Sequence, residues 1–170
     1  MKGTSTLRGG LRSLMWVTKF TYTLFLVFCL ASYVVMVLLA ISRTGLEHAA
    51  LATYYRGDGD MQYAKSYQEL LEVTHFHLFS IPLFLFVQAH LFMLTTWPVR
   101  RKVVVVVGAF VGAACDLSAP WLITYVSPDT AIIKTLARVL LAQAFVLFAL
   151  LPIYEMWFQR SPGRQLKGTG

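Results

Sequence analysis

The chain alternates between four long apolar stretches and shorter polar links. The apolar stretches cover residues 16–41, 74–97, 103–125 and 131–158. About 20 apolar residues cross the ~30 Å hydrocarbon core of a bilayer as an α-helix. The pattern therefore predicts an all-α integral membrane protein, a four-transmembrane-helix bundle that forms a single membrane domain.

The link between the first two spans, residues 42–73, is long enough to hold structure outside the bilayer. Its residues 46–55 are rich in Leu and Ala and predict a short helix at the membrane surface. A Gly- and Asp-rich turn follows, and residues 61–73 predict a helix that runs directly into the second span. The polar tail, residues 161–170, has no apolar stripe and is predicted to be disordered.

Charge along the chain predicts the topology. The net charge is +7, and the basic residues precede span one, join spans two and three, and follow span four. The acidic residues concentrate in link 42–73, and positively charged loops stay in the cytoplasm. We therefore expect both termini inside, link 42–73 on the extracytoplasmic side, and a multi-pass protein of the bacterial inner membrane. Since topology accounts for the basic residues, we expect the lipid bilayer and no nucleic acid as a partner.

Three of the four histidines lie in the second span. Imidazoles at membrane depth are costly and usually face a bundle interior, a cavity or a cofactor. His75 and His90 are ~60° apart around a helix and ~22 Å apart along it, so they share one face. This arrangement resembles the two-haem pattern of b-type cytochromes, in which such histidines hold haem b.

The number of available histidines limits the chain to at most one haem with two histidine ligands. Spans one, three and four contain no histidine, so His48 is the remaining partner for His75 or His77. His90 would need a methionine, a ligand from another subunit, or no cofactor at all. In the last case we expect an interior histidine that hydrogen bonds to Gln88, Gln143 or a threonine.

Charged residues inside spans three and four predict a polar layer near the extracytoplasmic side. Asp116 lies ~15 Å and Arg138 ~10 Å from the corresponding helix ends, and Lys134 is one turn above Arg138. An isolated charge at this depth is costly, so we expect Asp116 and Arg138 to pair or to contact a charged ligand. The pair would either fix the helix packing or hold an anionic group, such as a haem propionate, or a quinone.

A transition-metal site is an alternative on the same side. Glu72 and His75 are three residues apart, which places a carboxylate and an imidazole on one helical face. With His48 they would offer the nitrogen and oxygen ligands that copper, zinc or iron accept. The competing interpretation is a solvated acidic helix in which Lys65 and Glu69 pair across one turn.

Two functional hypotheses follow from these patterns. The first is a small subunit of a respiratory-type electron-transfer complex that holds a b-type haem or a quinone and passes electrons to an extracytoplasmic partner. The second is a non-catalytic accessory or assembly subunit of a larger membrane complex. The sequence contains none of the common nucleotide-binding or hydrolase motifs that would assign an enzymatic activity.

Overall fold

A computed structural model describes residues 10–44, 47–59 and 62–159, apart from the side chain of His48. Within these residues, four helices are long and apolar enough to cross a membrane. They are α1 (Trp16–Thr44), α3 (Tyr67–Met93), α4 (Val99–Tyr125) and α5 (Ala131–Trp157), and the short helix α2 is His48–Arg56. Short 3-10 turns, Gly10–Ser13 and Pro128–Thr130, precede α1 and α5.

The four spans and a short helix between the first two are confirmed, although the second span, Tyr67–Met93, begins and ends earlier than the predicted 74–97. The link needs one correction. Residues 62–66 are extended rather than helical, and α3 begins at Tyr67. Ser66 ends the extended segment because its hydroxyl accepts from the Glu69 amide while the Glu69 carboxylate accepts from the Ser66 amide. This capping box satisfies two donors that a helix N-terminus would otherwise leave unpaired. The tail 161–170 and residue 61 lie outside the described residues.

Helices α4 and α5 form the centre of the bundle, and α3 packs against both. Their shared core joins Phe92 of α3 and Phe148 of α5 to small residues of α4, including Ala109 and Ala113. Gly112 has no side chain, so Leu140 and Leu141 of α5 pack close to it. A Cβ atom added at Gly112 would lie 3.4–3.5 Å from these leucine side chains. Helix α1 packs mainly against α5. Large apolar side chains elsewhere remain on the surface, as expected for helices solvated by lipid.

Helix α2 covers one end of the bundle, which we call the α2 end. Leu51 is buried against Ala119 and Ile123 of α4 and Ala131 of α5. The Arg56 guanidinium also donates to the Ile123 carbonyl at 3.0 Å. These contacts hold α2 against the end of α4 and the start of α5.

A tight loop leads from α2 toward α3. Gly57 has a φ of +77°, and a Cβ at this position would lie 2.4 Å from the Gln62 carbonyl oxygen. The Lys65 amide donates to the Tyr55 carbonyl at 2.9 Å, which brings the chain back to α2. Glycine is therefore required at position 57 both for its backbone conformation and for space.

The opposite end, which we call the terminal end, holds the start of α1, the α3–α4 loop and the end of α5. Leu11 of the first 3-10 turn is buried with Leu26, Leu91 and Met156. The Lys19 ammonium donates to the Met156 carbonyl at 3.0 Å, near the end of α5. The segment before α1 therefore packs into the bundle.

Candidate functional site

A buried ion pair joins α4 and α5 beneath the α2 end. The Lys134 ammonium lies 2.9 Å from the Asp116 carboxylate and 3.0 Å from the Asp116 carbonyl oxygen. The two side chains are only 7% and 21% exposed, respectively. The sequence predicted a charge pair at this depth, and an ion pair does join the two central helices, α4 and α5.

The partner of Asp116 is Lys134, so the expected Asp116–Arg138 pair is not formed. The Arg138 guanidinium makes no hydrogen bond or ion pair with the described residues, and the residue is half-buried. Its backbone carbonyl accepts from the Tyr33 hydroxyl at 3.3 Å, which connects α1 to this layer. Lys134 belongs to the buried row of α5 that also holds Leu141 and Phe148, whereas Arg138 is only half-buried, so Lys134 is the residue that reaches Asp116.

Tyr55 places α2 over the charged layer. Burial, assisted by the negative charge of Asp116, raises the pKa of Tyr55 to about 12, against an opposing effect of Arg138. The phenol is therefore neutral at physiological pH and stays protonated well above it. The α2 end thus holds one negative and two positive charges, and Tyr55 packs nearby against the cluster of Leu51, Ala119, Ile123 and Ala131.

The histidines of α3 do not join this layer. His75 and His90 are exposed, and the His77 Nδ1 lies 2.7 Å from the Val73 carbonyl of its own helix. Within the described residues, no hydrogen bond, ion pair or ring contact connects these histidines to Asp116. The predicted cofactor layer of histidines, Asp116 and Arg138 is therefore not assembled as one cluster.

The expectation of an interior His90 is wrong. Its ring is exposed and lies 6.4 Å, between ring centroids, from Phe86 on the same helix. Gln88 instead is fully buried, and neither its amide nitrogen nor its carbonyl oxygen has a hydrogen-bond partner among the described atoms. Gln143 is exposed. Near the end of α3, Gln88 therefore faces the bundle interior and His90 faces outward.

The described residues offer little support for a metal centre at Glu72 and His75. Glu72 accepts from the Gln68 side chain at 3.1 Å, and within the described part of the chain no group of three His, Cys, Asp or Glu residues could hold a metal. The side chain of His48 lies outside the described atoms, so its pairing with His75 or His77 stays a prediction. The alternative Lys65–Glu69 pair is confirmed at 3.0 Å.

A second polar cluster lies at the terminal end and was not predicted. Glu155 of α5 is 2% exposed, and its carboxylate accepts from the amide and the hydroxyl of Thr96, each at 2.8 Å. Lys102 donates to the carbonyls of Met93 and Thr95, both at 2.8 Å, and so satisfies the end of α3. A single glutamate within an apolar span was the available signal for this cluster.

Comparison with known proteins supports the membrane assignment. Residues 45–163, more than two thirds of the chain and including α2 to α5, match the Aq_1264_TM family, which is described as a transmembrane helical domain. Neither a curated protein nor a solved structure matches the chain. The four apolar helices and this match agree, and the chain therefore belongs to the Aq_1264_TM family of transmembrane helical domains.

Proposed function

We propose that this protein is a non-catalytic accessory subunit of a larger membrane complex and that α3 contacts the partner. The observation that carries the proposal is a histidine-bearing surface on the outside of the bundle. His75, Phe79, Phe86 and His90 fall within about 60° around α3, and all four are exposed. We call these four residues the histidine face.

Polar rings on a lipid-facing helix favour a protein partner. Ionisable side chains within a membrane span almost always face protein, a water-filled cavity or one another. Helix α3 is the least buried of the four candidate spans, although it carries three of the four histidines. A partner that supplies hydrogen-bond acceptors would remove the cost of leaving His75 and His90 in lipid.

The internal charges support a structural role. Lys134 binds Asp116, and Glu155 binds Thr96, so these carboxylates hold α5 to α4 and to the α3–α4 loop. The positive-inside distribution supports a place in the bacterial inner membrane with both termini in the cytoplasm. The histidine face would then lie in the plane of the membrane, where a second membrane protein can reach it.

Photo-crosslinking tests this proposal. The photoreactive analogue p-benzoylphenylalanine replaces Phe79 or Phe86, which are 76% and 63% exposed, and in a control it replaces Phe28 of α1, which is 71% exposed. We expect the two α3 positions to join one discrete membrane protein in native membranes and the α1 position to join only lipid. Equal products from all three positions, or products with a second copy of this chain alone, would overturn the proposal.

The electron-transfer hypothesis is the second candidate, and one observation favours it. His75 and His90 are exposed on one face with two phenylalanines between them, so a partner's ligands could complete a b-type haem site, or a quinone could bind there. Such a subunit would also need an extracytoplasmic electron-transfer partner. A pyridine haemochrome spectrum of the intact complex tests the haem version, which predicts loss of haem in His75→Ala or His90→Ala with assembly retained. An intact complex without haem b would reject it.

A further inference from the structure

A small cavity lies at the terminal end of the bundle. Its volume is about 370 Å³, and it is a shallow depression that is widely open to the bundle surface at the start of α4. Its lining residues are Trp97, Arg100, Arg101, Val104 and Val105. The cavity is on a different surface from the α2 end and does not depend on the proposed function.

The mouth of this cavity is positively charged. Arg100 and Arg101 are exposed in the first turn of α4, where no acidic residue is present, and neither makes an ion pair with the described residues. The neighbouring Lys102 differs, because it is buried and bound to two backbone carbonyls. Pro98 at the N-cap makes no side-chain cap hydrogen bond, so the positive end of the helix dipole adds to the two guanidinium charges.

The walls of the cavity are apolar and continue into the span. Val104 is 71% exposed, and Val105 packs against the main core. The Trp97 ring lies edge-on to Phe92, with 6.0 Å between centroids, at the level where aromatic side chains meet the membrane interface. A ligand that fits must therefore combine an anionic group at the membrane boundary with an apolar chain that follows Val104 into the bilayer.

We infer that this cavity binds an anionic phospholipid, with its phosphate on Arg100 and Arg101 and an acyl chain along Val104. Basic pockets at the ends of membrane helices suit such head groups. Guanidinium groups also bind phosphate oxygens in pairs of parallel hydrogen bonds. The net charge of the lipid is decisive here, because a zwitterionic head group places its own cation beside the arginines.

Native mass spectrometry of the purified full-length protein in detergent tests this inference. The measured quantity is the affinity for phosphatidylglycerol relative to phosphatidylcholine of the same chain length. We expect Arg100→Gln to lower this ratio roughly five-fold, and Arg100→Gln with Arg101→Gln to lower it roughly thirty-fold. The matched control is Arg43→Gln, an exposed arginine at the last turn of α1, which should leave the ratio unchanged.

A second variant and a soluble competitor keep the test decisive. Val104→Trp narrows the cavity without changing its charge, and it should weaken the binding of both lipids while the circular dichroism spectrum stays that of the wild type. Inorganic phosphate distinguishes a lipid site from a site for free phosphate, because it lacks the acyl chain. An unchanged ratio in the double arginine variant, or full displacement of phosphatidylglycerol by millimolar phosphate, would overturn the inference.

Discussion

The buried ion pair between α4 and α5 gives the sharpest test of the structure. Replacing Asp116 by Asn leaves the Lys134 ammonium, whose side chain is 7% exposed, without a counter-charge. Removing one partner of a buried pair costs about 3–5 kcal/mol. Lys134 keeps its 3.0 Å contact with the Asp116 carbonyl in this variant, so we expect a loss near the lower bound, about 3 kcal/mol.

The complementary variants separate the true partner from its neighbour. Lys134→Met should destabilise the protein less than Asp116→Asn, because the Asp116 side chain it strands is 21% exposed. The double variant should be more stable than Asp116→Asn alone, since apolar replacement of a buried pair is often neutral. Arg138→Met is the matched control and should not destabilise the protein, because it removes a charge that has no ion pair among the described residues.

Reversible unfolding in mixed micelles of dodecyl maltoside and dodecyl sulfate, followed by helical circular dichroism, gives the required free energies of unfolding. A double-mutant cycle then isolates the Asp116–Lys134 interaction. A small loss in Lys134→Met together with a loss above about 3 kcal/mol in Arg138→Met would refute the assignment and identify Arg138 as the partner.

Three further predictions address the loop, the terminal end and α2. Gly57→Ala should destabilise the protein by more than about 2 kcal/mol in the same unfolding assay. Gly59 has a φ of +86° but open space around it, so Gly59→Ala should cost only about 1 kcal/mol. Equal losses would contradict the close approach at position 57. Glu155→Gln should cost about 1.5–3 kcal/mol, because a charge-assisted acceptor of the Thr96 amide and hydroxyl is lost, and an unchanged free energy of unfolding would show that this cluster is not needed. The raised pKa of Tyr55 favours the folded state below pH ~10, and this contribution is lost as the pH rises toward about 12. The ultraviolet difference titration of wild type against Tyr55→Phe should therefore show a midpoint near 12. A midpoint near ~10 would place this phenol in water.

The spans and the surface helix could be predicted because continuous apolar runs and a Leu- and Ala-rich link are local signals. The partner of Asp116 could not be read from depth alone, since Lys134 and Arg138 are one turn apart on the same helix. Lys134, Leu141 and Phe148 are spaced seven residues apart and form the buried row of α5. This spacing, unlike the depth of each residue, distinguishes Lys134 from Arg138.

The direction of the histidines was harder to predict. His75 and His90 are both exposed, and ideal helical geometry places them ~60° apart around α3. Whether that face turns inward depends on which neighbours α3 packs against, and the apolar residues of α3 surround the helix almost evenly, so no stripe marks an inner side. Gln88, and not His90, is the polar side chain that the bundle encloses.

The last span completes both polar clusters, and this has a consequence for biogenesis. The Thr96–Glu155 contact can form only after Glu155, 59 residues further along the chain, has been synthesised. The Asp116–Lys134 pair likewise can form only after Lys134 has been synthesised. A nascent chain arrested before α5 would therefore have Asp116 without Lys134 and the loop at Thr96 without Glu155. We therefore expect insertion of α5 to complete the packing of the bundle, and products that lack α5 to be less stable in the membrane.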